Sequence, residues 1–263
     1  MAETVSDVPK ANKAFVPLEN NPEVMTSLVH KLGLSQALSF TDVYSITDPD
    51  LLSFLPRPSH ALLLVFPVSK TYEEHRHSED ASRSEYTSKG PQEPVMWFKQ
   101  TIRNACGLIG LLHAVANGEA RTFVQDNTPL AKLLKEAEPL APVERAGLLY
   151  DSPALESAHQ AAASLGDTAA PEADASVDLH YVCFVKGQQD GHLWELDGRR
   201  KGPLDRGPLG KDEDVLSETA LDVGVRAFLK REEEVAAAGA GEGGGSGIGE
   251  LRFSVVALGP SMD

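Results

Sequence analysis

Residues 104–117 read NACGLIGLLHAVAN and are the most apolar helical segment of the sequence. The leucine, isoleucine and valine side chains of this segment cover more than one face of a helix with 3.6 residues per turn. A helix that is apolar on more than one side needs protein around it, so the segment predicts a central, buried helix. Gly118 is expected to end this helix.

Cys106 lies at the start of the predicted helix, where the first backbone N–H groups have no partner within the helix. Such N–H groups, together with a neighbouring histidine, favour the thiolate form of a cysteine and can stabilise an oxyanion on a substrate carbonyl. Gln100 precedes Cys106 by six residues and can donate its side-chain amide to the same oxyanion. The alternative is that Cys106 is inert packing, the more common role of a cysteine in an apolar helix.

The strands are predicted from shorter apolar segments. Residues 61–66, ALLLVF, are apolar throughout, which indicates a strand buried on both faces. Residues 179–186 and 192–197 are joined by GQQDG and predict a hairpin. The closing LRFSVVAL predicts a strand that returns to the main sheet, so both halves of the chain are expected in one domain.

His180 and Asp197 lie on the two strands of this hairpin. If Lys186 pairs with His192, position 197 faces position 181, and Asp197 is one position out of register with His180. Strand twist, a bulge or a different loop length would bring the two side chains together. Two interpretations therefore stay open: a His–Asp pair that serves Cys106, or a structural histidine and an acidic turn residue.

The remaining cysteine and histidines are weaker candidates. Cys183 lies at an odd offset from the strand histidine, so it is expected on the opposite face of the sheet, in the core. His75 and His77 lie in residues 69–94, a charged segment expected to be a solvated surface excursion with some helix near its beginning. His113 is expected to be a packed histidine. Two cysteines are too few for a four-thiolate zinc site, and neither a metal nor a cofactor is expected.

The chain has 263 residues and carries 24 basic against 39 acidic side chains, a net charge of −15. This balance disfavours a nucleic-acid partner, because phosphate binding needs clustered Lys and Arg. It agrees with a basic protein partner or simply with solubility. No apolar run reaches the roughly 18–20 residues of a membrane span, and the first residues lack an apolar signal core. Two reduced thiols in the cytoplasm or the nucleus are therefore expected.

Three segments are predicted to lie outside the packed core. Residues 1–13 are expected to be a flexible leader before a single domain of residues 14–263. Residues 152–178 begin as a loose helix and continue in a stretch rich in Ala, Asp, Gly, Pro and Ser, which cannot bury enough apolar surface to order itself. Residues 236–249, AAAGAGEGGGSGIG, are interpreted as a low-complexity flexible insert.

Four segments, in this order, resemble the ubiquitin carboxyl-terminal hydrolase family of small cysteine peptidases: FVPLENNPEVMTSLVHKLGL (15–34), FTDVYSITDPDLLSFLPRPSHALLLVFPVSKTYEEHR (40–76), MWFKQTIRNACGLIGLLHAVAN (96–117) and DLHYVCFVKGQQDGHLWELDGRRKGP (178–203). The combination of KQTIRNACG with a later HLWELDGR is highly specific. The resemblance implies an α+β fold related to papain, with a central antiparallel sheet flanked by helices on both sides. It also implies a knotted chain path, which no sequence rule would suggest.

The resemblance also assigns roles to single residues. Cys106 matches the nucleophile of the family, His180 its general base, and Asp197 the acid that orients this histidine. Gln100 matches the glutamine of the oxyanion hole. For these four residues, the resemblance favours catalysis over the structural interpretations.

Other positions are matched to substrate recognition. Asp42 matches the acidic contact of the family to the basic surface of ubiquitin. Asn104 and Leu179 adjoin the catalytic residues and are expected to line the cleft for the ubiquitin tail. Residues 152–178 match the active-site crossover loop, which limits the adducts that can pass. An acidic cleft would suit the arginines of that tail.

The activity implied by the resemblance is a deubiquitinating thiol hydrolase that releases small adducts or short peptides from the C-terminal glycine of ubiquitin through a Cys-His-Asp triad. Two alternatives stay open: a ubiquitin-binding or ubiquitin-stabilising protein with little turnover, and a hydrolase for a related modifier such as Nedd8. The protein is expected to be a monomer in the cytoplasm or the nucleus, with no nucleic-acid or membrane partner.

Overall fold

Six antiparallel strands form one sheet in the computed structural model of the chain, which describes residues 13–68, 70–166, 179–239 and 253–262. The order of the strands across the sheet is β1-β6-β2-β3-β4-β5. The C-terminal strand lies between β1 and β2, so the two halves of the chain share one sheet, as predicted. The strand bounds are β1 (Leu38–Asp42), β2 (Ala61–Pro67), β3 (Leu179–Lys186), β4 (His192–Leu196), β5 (Leu204–Pro208) and β6 (Ser254–Pro260).

Helices cover both faces of this sheet. Several begin with a capping side chain followed by proline, as in α1, where Asn21 accepts hydrogen bonds from the N–H groups of Glu23 and Val24. A 3₁₀ helix, Gly118–Phe123, follows α4, and a π-helical turn, Asp222–Arg226, links α8 to α9. The helix bounds are α1 (Pro22–Leu32), α2 (Pro49–Ser53), α3 (Lys70–Ala81), α4 (Cys106–Ala116), α5 (Pro129–Ala137), α6 (Pro142–Tyr150), α7 (Pro153–Ala163), α8 (Glu218–Leu221) and α9 (Ala227–Gly239).

Alternating side chains of the sheet supply two apolar cores. On one face, Leu63 and Cys183 join the core formed with α1, α4 and α7. On the other face, Leu64 and Val182 join the core that contains Phe228 of α9. Strand β2 contributes to both cores, which confirms that the 61–66 segment is a strand buried on both faces and confirms the predicted α+β layers.

Helix α4 lies directly against the sheet because Gly110 has no side chain. A Cβ atom at this position would lie 3.2 Å from Cδ2 of Leu63 and 3.4 Å from Cβ of Tyr181. The helix is buried from Gly107 to its end at Ala116, which confirms the predicted central helix. Its first residue is only half-buried, so the N terminus of the helix is the end open to a ligand.

Two helices predicted within polar segments are confirmed. The helix expected near the beginning of the 69–94 segment is α3, which extends to Ala81. The first part of the 152–178 segment forms α7, whose apolar side packs on α1. The predicted crossover loop is therefore in part a core-packed helix, while residues 167–178 lie outside the described residues.

The predicted domain limits stay predictions, and the described residues give details at two of them. Lys13, assigned to the flexible leader, is held in place: its carbonyl oxygen accepts the Arg103 N–H at 3.0 Å and its Nζ donates to the Tyr150 carbonyl at 2.7 Å. Residues 236–239 of the predicted insert belong to the end of α9, and residues 1–12 and 240–249 lie outside the described residues. The knotted path stays a prediction. Within the described ranges, every helix is too short or too polar to cross a bilayer.

Candidate active site

The β3–β4 hairpin has a different register from the predicted one. Lys186 pairs with Leu193 and not with His192. Continued to the end of the hairpin, this register places Asp197 opposite position 182, two residues from His180 and on the same face of the sheet. The shift by one residue turns an out-of-register pair into diagonal neighbours.

His180 and Asp197 form a buried hydrogen-bonded pair. Nε2 of His180 lies 2.8 Å from Oδ1 of Asp197. A carboxylate can only accept, so Nε2 carries a proton and Nδ1 is the ring nitrogen left for another partner. Phe66 packs edge-on against the imidazole with 5.9 Å between ring centroids. The ring is thus held by a hydrogen bond at one nitrogen and by a perpendicular contact with the Phe66 ring.

Cys106 is the first residue of α4, and its thiol is near enough to His180 to raise the pKa of the imidazole. Its Sγ also lies 3.8 Å from the carbonyl oxygen of Leu179. The N-cap residue Ala105 has no side-chain oxygen that could occupy the first N–H groups of the helix. Asn104 has a φ of 58°, a left-handed conformation that asparagine tolerates well, and turns the chain into the helix. The half-buried thiol therefore lies where helix N–H groups favour a negative charge.

The charges of the His–Asp pair stabilise each other. Burial lowers the pKa of His180, but the carboxylate of Asp197 and the contact with Cys106 outweigh burial and raise the pKa to about 9. Burial raises the pKa of Asp197, but His180, the Arg199 N–H and Arg200 together hold it well below its usual range. At neutral pH the pair is an imidazolium and a carboxylate. The proton on Nδ1 can therefore be exchanged with the neighbouring sulfur, which is the arrangement that activates a cysteine nucleophile.

A cavity of about 330 Å³ opens beside the thiol. Of the described residues that line it, two are arginines and none is Asp or Glu, so the described part of this cavity does not have the expected acidic character. The lining residues are Val68, Gln100, Arg103, Asn104, Cys106, Leu179, His180 and Arg199.

Gln100 reaches the same cavity. Its backbone N–H donates to the carbonyl of Gly198 at 2.8 Å, which anchors it to the turn after β4. Its side-chain Nε2 donates to the Ile102 carbonyl at 3.3 Å. An amide nitrogen has two N–H groups, so one remains beyond this bond. The oxyanion role of Gln100 stays a prediction that this geometry permits.

Of the three residues predicted to bind substrate, two line the cavity and one does not. Asn104 and Leu179 flank the thiol, and the Leu179 side chain is 42% exposed. Asp42 is the last residue of β1 and lies level with Leu63 and Cys183, three residues along β3 from His180. Three strand spacings of about 4.8 Å separate β1 from β3, so Asp42 lies roughly 14 Å across the sheet.

The weaker candidates take no part in this site. Cys183 is completely buried in the core, as expected. His113 is also buried; its Nε2 accepts the Phe98 N–H at 2.9 Å, and burial lowers its pKa to about 3. His75 and His77 lie on α3 and not in a loop. Among the described residues, no cluster of three potential metal ligands occurs.

Sequence reasoning missed two residues that support Asp197. The Tyr72 hydroxyl donates to Oδ2 of Asp197 at 2.8 Å, and Nε of Arg200 lies 4.0 Å from the same oxygen. Arg200 is itself buried and paired with Asp80 at 3.2 Å. The only signal was an aromatic residue within the charged 69–94 segment, which is too common a feature to indicate a site.

Comparison with known proteins gives consistent results for the whole chain. The family model described as "Ubiquitin carboxyl-terminal hydrolase, family 1" matches residues 15–229. Ubiquitin carboxyl-terminal hydrolase YUH1 of Saccharomyces cerevisiae is 33% identical over 96% of this chain and 98% of its own length. Ubiquitin carboxyl-terminal hydrolase isozyme L1 of Homo sapiens is 36% identical over 92% of this chain and 96% of its own.

A solved structure shares the fold. The catalytic domain of Trichinella spiralis UCH37, crystallised with ubiquitin vinyl methyl ester, superposes with a TM-score of 0.66 at 20% identity. The superposition covers 96% of this chain and 97% of the other. At this identity the likeness concerns the arrangement of helices and strands.

Proposed function

Because this chain belongs to family 1 of the ubiquitin carboxyl-terminal hydrolases, a family of cysteine-type deubiquitinases, we propose that it cleaves after the C-terminal glycine of ubiquitin with Cys106 as nucleophile. One observation supports these roles above all others. The N terminus of α4, its half-buried thiol and His180, which is paired with the buried Asp197, meet at a single cavity. The family match at residues 15–229 includes all of these residues.

In the first half of the reaction, the proton of the Cys106 thiol resides on the imidazolium of His180, and the thiolate attacks the carbonyl carbon of the terminal glycine. The negative charge on the carbonyl oxygen is stabilised by the Cys106 backbone N–H and the side-chain amide of Gln100. The imidazolium then gives its proton to the leaving amine, and the C–N bond breaks. A thioester between Cys106 and ubiquitin remains.

In the second half, His180 accepts a proton from the water molecule that attacks the thioester. The C–S bond breaks and leaves a thiolate beside the imidazolium, as at the start. Ubiquitin leaves as a carboxylate after its acid proton passes to solvent water. Asp197 holds Nε2 throughout and stabilises each imidazolium. These steps use only backbone and side-chain groups of this chain, the ubiquitin substrate and water.

We propose small adducts and short C-terminal peptide extensions of ubiquitin as the substrates. A cavity of about 330 Å³ suits a small leaving group. Ubiquitin as the partner is supported by the names of the relatives and by the ubiquitin-derived ester on the Trichinella protein. A monomer in the cytoplasm or the nucleus agrees with the free cysteines and the net charge of −15. Restriction of adduct size by residues 152–178 stays a prediction from the family resemblance.

The full chain tests this proposal with a ubiquitin that carries a fluorogenic amide at its C terminus. We expect release of the fluorophore from ubiquitin, and slower release from the corresponding Nedd8 amide. Labelling with a ubiquitin that bears a C-terminal electrophile should modify Cys106. Binding of ubiquitin without release would point instead to a ubiquitin-stabilising protein, and release from Nedd8 alone would identify a different modifier.

Asp42 is proposed to contact a basic surface of ubiquitin away from the reacting bond. Replacing Asp42 with asparagine should raise KM for the ubiquitin amide about three- to ten-fold and change kcat less than about two-fold, because a charge at the rim acts on association. Steady-state kinetics at low salt would measure the effect. Asp126→Asn is the matched control, since Asp126 is an exposed aspartate near the opposite end of β1. An unchanged KM would show that Asp42 does not contribute to ubiquitin binding.

The pH dependence of kcat/KM follows from the raised pKa of His180. Its charge is fully present below the ordinary value of 6.5 and is lost as the pH rises through about 9, together with the stability that the ion pair contributes. We expect kcat/KM to fall on the alkaline side of the profile, with its midpoint (the alkaline limb) near pH 9. In Asp197→Asn the carboxylate that raises this pKa is gone, so the limb should move down by at least about one pH unit. Identical limbs in the two proteins would exclude His180 as the titrating group.

A further inference from the structure

The first turn of α3 brings the Tyr72 hydroxyl onto the second oxygen of Asp197. Tyr72 Oη donates to Oδ2 at 2.8 Å, and the two residues are 1% and 0% exposed. Oδ1 accepts from Nε2 of His180 and from the Arg199 N–H, each at 2.8 Å. Both carboxylate oxygens are therefore held by donors on three different elements of the chain.

We infer that Tyr72 is a positioning residue for the proposed hydrolysis, because its hydroxyl fixes the plane of the Asp197 carboxylate and so keeps Oδ1 aligned with Nε2 of His180. The inference rests on the proposed function. Tyr72 is not among the residues that line the cavity at Cys106, so it acts through Asp197 and has no contact with the reacting bond.

The surroundings of the tyrosine ring do not by themselves require a hydroxyl. The ring packs edge-on against Phe66, with 4.9 Å between centroids, and 6.2 Å from Phe228. Phenylalanine would satisfy this apolar packing equally well. Burial and the nearby charge of Asp197 raise the pKa of Tyr72 well above its usual value, so the hydroxyl keeps its proton and remains a donor. The polar group is thus explained by Asp197 and not by the core.

The rest of α3 contacts the backbone and side chains of the turn that follows Asp197. Tyr72, Arg76 and Asp80 are spaced four residues apart and share one buried face of the helix. Arg76 Nη1 donates to the Arg199 carbonyl at 2.8 Å, and Asp80 pairs with Arg200 at 3.2 Å. These contacts fix the backbone just after Asp197, while Tyr72 fixes the carboxylate itself.

Loss of the hydroxyl should weaken the chemical steps and leave ubiquitin binding intact. In Tyr72→Phe, Oδ2 loses its nearest donor in a buried place, and the carboxylate is free to turn about its Cβ–Cγ bond. The His180 ring then loses its fixed orientation toward Cys106. We expect kcat for the ubiquitin amide to fall about ten-fold and KM to stay within about two-fold.

The control is Tyr181→Phe, which removes another buried hydroxyl, one that donates to the Leu18 carbonyl at 3.1 Å. We expect its kcat to stay within about three-fold of wild type. Rates are expressed per Cys106 that reacts with the electrophilic ubiquitin, and the melting temperature of each variant is measured. Loss of folded protein is in this way separated from loss of positioning.

The decisive measurement repeats Tyr72→Phe in an Asp197→Ala background, at enzyme concentrations high enough to detect the slow reaction. If Tyr72 acts only through Asp197, its removal should there change the rate less than about two-fold. If Tyr72 had a purely structural role, its replacement would lower the rate by the same factor in the wild-type and the Asp197→Ala backgrounds. The inference would be overturned if Tyr72→Phe lowered kcat equally in both backgrounds, or if it did not lower kcat in the wild-type background. Either result would leave the proposed function standing. A wild-type protein that releases nothing would overturn the proposed function first.

Discussion

Replacing Cys106 with alanine should lower the release of fluorophore from the ubiquitin amide by at least about 1,000-fold, while the affinity for ubiquitin stays within about three-fold. Alanine removes only the sulfur, the atom that forms the thioester, so the chemical step loses its nucleophile. The side chain is half-buried at a helix N terminus, where the smaller alanine causes no clash. Steady-state turnover and a binding titration measure the two quantities separately.

Cys183→Ala is the matched control for this experiment. Cys183 is the second of the two cysteines, lies in β3 and is completely buried in the core. We expect this variant to keep turnover within about three-fold and to form the same adduct with electrophilic ubiquitin. Turnover that survives in Cys106→Ala and disappears in Cys183→Ala would show that the nucleophile had been misassigned.

Replacing His180 with glutamine should also reduce turnover by at least about 1,000-fold. A glutamine amide can still donate to Oδ1 of Asp197, so the buried carboxylate keeps a partner and the fold is expected to survive. An amide cannot take a proton from Cys106 or return one to the leaving amine, so both halves of the reaction lose their base. Turnover and the rate of labelling by electrophilic ubiquitin would measure the loss.

His192→Gln provides the comparison within the same hairpin. His192 begins β4 and is paired with Asp205 at 2.9 Å in a partly exposed position, far along the strand from the cavity. We expect its turnover to stay within about two-fold of wild type. If the two histidine variants behaved alike, the role of general base would have to pass to another group.

Much of the fold can be predicted from local sequence. The helix of residues 104–117, the strand of residues 61–66 and the β3–β4 hairpin are each strongly apolar over a length typical of the element. The structure confirms all three, together with the return of the last strand to the sheet. Apolar patterns are reliable here because burial of these side chains is the main free energy that forms the core.

Polar burial is what local sequence failed to predict. Helix α3 reads as a solvated segment because its residues are mostly charged, yet Tyr72, Arg76 and Asp80 are buried. Their burial depends on partners more than 100 residues further along the chain, such as Arg200. A buried charge is stable only when such a partner is in place, and the sequence of the helix does not contain that information.

The catalytic geometry divides in the same way. The types of residue and their order along the chain follow from the sequence alone: a cysteine at the start of an apolar helix, and a histidine and an aspartate on one hairpin. Whether His180 meets Asp197 was decided by a shift of one residue in the register of β3 against β4. In a strand such a shift moves a side chain to the opposite face, and hairpin pairing, twist and packing on both faces select the register together. These contributions act together only in the folded protein, so the register could be read only from the tertiary structure.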